Sequence, residues 1–249
     1  MEMDTIERNI YSCICKSDGI KAKEIAKQIR AEKTMINHYL YTSPFMRDLC
    51  FYDKDYRWHG LIRQEFPHKG LADFCGYYSS VEEFLEMQEG EWMDRLLPGC
   101  RNIGRNLNNS RGLFHSFLDS RQVMVDLFKD LYGIDFHNWE IAFELRIKKS
   151  KMIRIYTDVL VVTKNHIFAM EFKMHDEIRE EDIEQSAKYV EYLEVIFGPD
   201  YDVIPVLVLT KASDLFRYVC LTGSTAEIPV CSGDMLFNIF DEYIGFLKD

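Results

Sequence analysis

Asp158, Glu171 and Lys173 fall inside the stretch YTDVLVVTKNHIFAMEFKM, residues 156–174, beside two apolar runs. Val159 to Val162 and Ile167 to Met170 have the composition of strands taken into a buried sheet. With Lys164 and Asn165 as the central turn residues, Asn supplying the left-handed conformation such a turn needs, Val162 faces Ile167 and Leu160 faces Ala169. Asp158 then faces Glu171, and strand alternation projects Asp158, Glu171 and Lys173 from one face. Opposed carboxylates repel by up to about 1 kcal/mol when exposed and by more when buried. A cation between them reverses that sign, and hard oxygen ligands suit Mg²⁺ or Mn²⁺. The same residues could also form an ordinary surface hairpin with a Lys–Glu pair.

The elements around this hairpin alternate between helix and strand. GLFHSFLDSRQVMVDLFKDLYG, from Gly112, reads as an amphipathic helix closed by Gly133. WEIAFELRIKK, MIRIYTDVLVV and HIFAMEFKM read as three strands joined by short turns. EIREEDIEQSAKYVEYLEVIFG reads as a long helix ended by Gly198-Pro199, and YDVIPVLVLTK as a strand buried on both faces. A shorter strand near Glu227–Cys231 and a helix from Asp234 follow. The order α-β-β-β-α-β predicts an α/β fold with a mixed sheet between helices.

The spacing Asp-x₁₂-Glu-x-Lys on a hairpin, in this element order, resembles the active site of the PD-(D/E)XK nuclease superfamily. The resemblance covers about residues 112–211, with Asp158 and the Glu171-Phe172-Lys173 triplet matching position by position. One departure is Thr157, where the family pattern often has proline. The resemblance implies a restriction-endonuclease-like core and metal-dependent hydrolysis of phosphodiesters. Asp158, Glu171 and the backbone carbonyl of Phe172 would hold Mg²⁺ or Mn²⁺, and Lys173 would orient or deprotonate the attacking water. Gln185 and Tyr189, four apart on one helix face, resemble the Q-x-x-x-Y element of the RecB-like branch, whose residues contact nucleic acid beside the metal. His115 resembles the histidine on that branch's first core helix, an extra metal ligand, although the spacing here is G-x-x-H and not G-x-x-x-H. Glu144, on the first strand, is the alternative third acid. The basic run RIKKSKMIR, residues 146–154, reads as a backbone-contact patch or a solvated turn.

The first quarter of the chain follows another plan. DTIERNIYSCICK and KAKEIAKQIR have helical spacing around the turn SDG, EKTMINHYLYTSPF reads as a third helix ending before Pro44, and LCFYDKDYRWHGL as two aromatic strands around DKD. This pattern resembles a winged helix-turn-helix. The resemblance implies that the third helix presents Lys33, Thr34, Asn37, His38 and Tyr41 to a nucleic-acid groove, or that the module pairs with protein. The predicted organisation is therefore a winged helix at 1–65, a partly helical linker with Arg101, Arg105 and Arg111 at 66–110, and the nuclease domain at 111–249.

Bulk properties narrow the setting. The chain has 249 residues, 47% of them hydrophobic, with 14 Tyr and 17 Phe, which excludes a disordered chain. The net charge of −11 argues against indiscriminate polyanion binding, but residues 1–65 carry 11 Lys and Arg against 10 Asp and Glu, so the acidity lies beyond them. Seven Cys without a CxxC pair predict reduced thiols and no structural zinc. A charged N-terminus and the lack of a long apolar stretch predict a cytoplasmic protein with no membrane span. DNA is expected before RNA, since both modules resemble DNA-acting families, and a homodimer would suit an enzyme whose single site cuts one strand. A nuclease-like scaffold without activity is the rival expectation.

Overall fold

Asp4 opens the first helix with a capping box: its side chain accepts from the Ile6 and Glu7 amides, and Glu7 returns a bond to the Asp4 amide. The computed structural model describes residues 4–17, 19–60, 71–107, 110–131, 133–134, 136, 138–149, 154–221 and 226–245. Helix α1 (Thr5–Cys15) is followed by α2 (Ala22–Gln28) and α3 (Lys33–Thr42). Pro44 ends α3, as expected, but also occupies the start of a further short helix, α4 (Pro44–Leu49), capped by the Ser43 hydroxyl. Strands β1 (Cys50–Tyr52) and β2 (Trp58–Gly60) then pair antiparallel, and Asp53 builds their turn by accepting from the Asp55 and Arg57 amides. Ile20 adds an antiparallel bridge to Trp58.

Among the described residues, seven strands form one mixed sheet in the order β3-β4-β5-β6-β7-β9-β8. These are β3 (Tyr77–Ser80), β4 (Glu140–Lys149), β5 (Arg154–Val162), β6 (His166–Lys173), β7 (Asp202–Leu209), β8 (Phe216–Cys220) and β9 (Glu227–Ser232). Pairing is antiparallel from β3 to β6 and between β8 and β9, and parallel from β6 through β7 to β9. Helices α5 (Val81–Glu86), α6 (Glu89–Asn102), α7 (Ser110–Asp130), α8 (Glu180–Phe197) and α9 (Leu236–Ile244) complete the architecture, with helices on both faces of the sheet. The expected α-β-β-β-α-β order is present as α7-β4-β5-β6-α8-β7, and the class is α/β.

The sheet's two faces carry different cores. Val159, Val161, Phe168 and Met170 point to one, with Phe117, Met124 and Phe128 of α7 and Trp92 and Leu96 of α6. Leu160, Val162, Ile167 and Ala169 point to the other, with Tyr189, Leu193 and Ile196 of α8. Ile10, Ile14, Phe45 and Met46 of the N-terminal helices belong to this second core, so the module is docked and not tethered. Phe45 lies 5.8 Å, ring to ring, from Tyr192, and Arg8 lies 3.8 Å from Glu194.

The reading of 66–110 as a linker is corrected, although 61–70, where its boundary was placed, lies outside the described residues. Residues 77–80 form an edge strand of the sheet, and α6 buries Trp92, Leu96 and Cys100 along one stripe. Tyr-Tyr-Ser-Ser has no apolar run to mark a strand, yet alternation buries Tyr77 and Ser79. Two glycines allow α6 to approach: a Cβ on Gly99 would lie 2.0 Å from the Gly76 carbonyl oxygen. Gly99→Ala is therefore expected to destabilise the fold by about 1–3 kcal/mol. Gly90→Ala on the same helix meets nothing within 4 Å and is the control; thermal melts of the two variants check the difference. Among the described residues no helix is long and apolar enough to cross a membrane.

Candidate active site

The β5–β6 ladder has the predicted register: Val162 pairs with Ile167, Leu160 with Ala169 and Val159 with Met170. The turn is made differently, since neither Lys164 nor Asn165 takes a positive φ. Thr163 closes it instead: its amide and hydroxyl donate to the His166 carbonyl, and its hydroxyl accepts from the His166 amide. The ladder stops one pair short of Asp158 and Glu171. In place of the next rung, the Phe172 amide donates to Asp158 Oδ2 at 2.9 Å, which holds the carboxylate at the strand end. The N–H and C=O of one strand residue point to the same side, so the Phe172 carbonyl also projects toward β5.

Glu171 is buried and fully engaged. Gln185 Nε2 donates to its Oε1 at 2.7 Å, Tyr189 O–H donates to its Oε2, and Lys173 Nζ lies 2.9 Å from Oε1. Gln185 Oε1 accepts from Lys173 Nζ at 3.0 Å, so one amide ties the acid to the lysine. Lys173 Nζ also lies 3.3 Å from Asp182 Oδ1, whose Oδ2 lies 3.1 Å from His175 Nε2. Residues four apart on α8 therefore meet one strand end, as the spacing of Gln185 and Tyr189 predicts. Tyr189 is fully buried beneath Glu171, and its hydroxyl positions the carboxylate.

On β4, Glu144 lies directly across from Asp158 between the Phe143–Val159 and Leu145–Thr157 pairs. It is buried and takes φ +57°, a left-handed conformation that turns the strand's facing pattern by one residue. Phe143 packs in the α7 core while both Ala142 and Leu145 pack in the α8 core. Arg105, beyond α6, meets Glu144 with Nε 2.7 Å from Oε2 and Nη2 3.4 Å from Oε1. Its guanidinium lies 4.7 Å over the Tyr156 ring.

The electrostatics follow from three acids and two cations in one place. Burial and the Asp158 charge push Glu171 up to about 8, against the pull of Lys173 and the Tyr189 hydroxyl. Burial and the same Asp158 charge push Glu144 up to about 8, against Arg105. Burial also raises Asp158, opposed by the Phe172 amide, Arg105 and Lys173. Burial works against the Lys173 charge, but Glu171, Asp182 and Asp158 outweigh it and hold the ammonium above its ordinary value. Lys173 is therefore held in its charged, hydrogen-donating form.

The other predicted residues lie apart. His115 is exposed on α7, the helix packed on the sheet face opposite Asp158 and Glu171, and no described contact joins it to them. Lys33, Thr34, His38 and Tyr41 are exposed on α3 and Asn37 is half-buried, on the side away from buried Ile36 and Leu40. The side chains of Arg111, Lys148, Lys149 and Arg154, and residues 150–153 of the basic run, lie outside the described residues. Asp182 and His175 were not singled out from the sequence; the signal available was an acidic first turn on the helix that follows Lys173. Comparison with known protein families and with curated proteins yields no match to this chain.

Proposed function

We propose that this protein is a divalent-metal-dependent nuclease that hydrolyses phosphodiester bonds, in DNA before RNA, with α1–α4 and the β1–β2 hairpin as a winged helix positioning the nucleic acid. One observation carries the reading: Asp158 and Glu171 meet at a strand end with Lys173 beside them, Asp158 held by the Phe172 amide, Glu171 by Gln185 and Tyr189, and Lys173 by Gln185.

The donor set fits Mg²⁺ or Mn²⁺. Among the described residues no group of three or more His, Cys, Asp and Glu side chains is arranged to hold a metal ion. The available ligands are two carboxylates, Asp158 and Glu171, and the Phe172 carbonyl. These are hard oxygens; burial makes both acids costly to ionise without a cation, and the Asp158 charge adds to that cost at Glu171. Asp158 Oδ1 has no described hydrogen-bond partner and is the open donor atom. When bound, a divalent ion would supply an activated water and neutralise charge on the phosphate.

The chain's own residues would do the rest. Tyr189 and Gln185 fix the Glu171 carboxylate; the Phe172 amide fixes Asp158. Lys173, kept protonated, donates to the attacking water or to the developing oxyanion. It must first release an acceptor, because Glu171, Gln185 and Asp182 match its three donors. That closed network favours the rival reading, an inactive nucleic-acid-binding or docking scaffold. Incubation of the protein with plasmid, single-stranded DNA and RNA decides between them. Cleavage with Mg²⁺ or Mn²⁺ that stops with EDTA is the expected result, and intact nucleic acid in every metal would leave the scaffold.

A further inference from the structure

Arg105 reaches the site from outside the α7-β4-β5-β6-α8-β7 core, and separate features hold it there. Helix α6 ends in a Schellman motif: Gly104 takes φ +76°, its amide donates to the Arg101 carbonyl at 3.0 Å, and the Arg105 amide donates to the Cys100 carbonyl at 2.8 Å. Arg146 of β4 donates to the Ile103 carbonyl at 2.6 Å, which ties this cap to the sheet. The Gly76–Gly99 approach sets α6 against the residue that precedes β3, and the Gly76 amide donates to the Phe143 carbonyl of β4 at 2.9 Å.

Glu144 completes the placement at a cost. A non-glycine residue in the left-handed region is strained by about 1–3 kcal/mol. A buried ion pair is often no more stable than apolar packing of similar volume. Strain and buried charge together do not explain themselves by stability. Their result is a guanidinium held between the Glu144 carboxylate and the Tyr156 ring, 4.7 Å from the ring centroid, with its charge felt at Asp158. The Arg105 side chain keeps 28% of its surface exposed, and among the described residues its Nη1 donates to no acceptor.

We propose that Arg105 binds a phosphate of the nucleic-acid strand held at the Asp158–Glu171 site, with Glu144 as the positioning residue that aims it. The inference rests on the nuclease reading for its place in the reaction, but the contact itself is a binding contact and is tested without cleavage. The guanidinium fork matches two phosphate oxygens, which a lysine ammonium cannot do. The competing account is that Arg105 only neutralises Glu144.

The experiment uses the full chain and a fluorescein-labelled DNA oligonucleotide, single-stranded and as a duplex, followed by anisotropy over a NaCl series with EDTA and with Ca²⁺. Arg105→Ala is expected to weaken binding at least several-fold and to reduce the slope of log affinity against log salt by about 1. Glu144→Gln keeps the cation and should keep the slope, while kcat in Mn²⁺ falls with little change in KM. Arg105→Lys, which preserves the charge beside Glu144 if the alanine variant does not fold, should keep the slope and lose cleavage at least about 10-fold. Wild-type affinity and slope in Arg105→Ala, a Glu144→Gln variant with unchanged kcat, or full cleavage by Arg105→Lys would each overturn the proposal. A wild type that binds neither DNA form overturns it as well. Failure of the nuclease reading is distinct: the wild type would cleave nothing, while the slope would still report the phosphate contact.

Discussion

Lys173→Ala is expected to lower cleavage by at least about 10²-fold while nucleic-acid affinity and Mn²⁺ binding stay near wild type. A donor that acts on charge developing in the transition state is worth roughly 10²–10³ in rate and adds little to ground-state binding. Lys173 has the geometry for that role: its ammonium lies 2.9 Å from Glu171, 3.0 Å from Gln185 and 3.3 Å from Asp182. Its charge is secured by those neighbours, so loss of a proton-accepting base is not what the mutant would report. Removing the side chain leaves Glu171 with Gln185 and Tyr189, which keep it aimed at the metal position. Single-turnover cleavage and anisotropy on the same preparation check the split. Near-wild-type cleavage would remove Lys173 from the reaction, and a joint collapse of rate, metal binding and affinity would make it a structural ion-pair residue.

The hairpin was legible because its two signals are local. Period-2 alternation and a two-residue turn fix the register of Val159–Val162 against Ile167–Met170 without reference to the rest of the chain. The turn's closure was not, since a hydroxyl at Thr163 replaced the left-handed Asn165 that the pattern suggested. The same limit hid the edge strands: Tyr77–Ser80 is short and half polar, Phe216–Cys220 is short and interrupted by Arg217, and only pairing with β4 and β9 makes them strands. Docking of the N-terminal helices was also out of reach. Ile10 and Ile14 show an apolar face whether it closes on its own module or on α8, and the structure has it do both. In the site, the spacing of Gln185 and Tyr189 placed them on one helix face, but spacing does not carry burial, and the structure has the buried Tyr189 hydroxyl donating to Glu171. Arg105 was half visible. Gly104 after a helical pattern marks a helix end, but the partner of the next residue depends on a left-handed Glu144 that no local preference predicts.

Asp158→Asn is expected to abolish cleavage and to make the metal-free protein more stable at alkaline pH than the wild type. The direction follows from linkage. Glu171 and Glu144 are both pushed up to about 8, by burial first and by the Asp158 charge second, so the folded state holds protons that the unfolded chain releases above its ordinary carboxylate range. Their contribution is fully present below about pH 4.5 and is lost as pH rises through about 8. The metal-free wild type should therefore melt at falling temperature from pH 5 to pH 8. Asn removes the second cause of both shifts and keeps a carbonyl oxygen for the Phe172 amide, so the fall should be shallower and the two proteins should differ most near pH 8. Relief of an opposed like-charge pair is worth roughly 0.2–1 kcal/mol on a surface, and more where the groups are buried, which appears as a few degrees or more in Tm. Mn²⁺ acts on the same groups with the opposite sign: ligands must be deprotonated, so protection of the wild type should grow with metal concentration and with pH. The mutant, lacking one carboxylate, should gain much less. If Asp158 serves only as an ion-pair and amide acceptor, its replacement lowers Tm at every pH and neither protein responds to Mn²⁺. Melting curves at pH 5 and pH 8, in EDTA and across a Mn²⁺ series, separate the two accounts by the sign of the mutant's shift at pH 8.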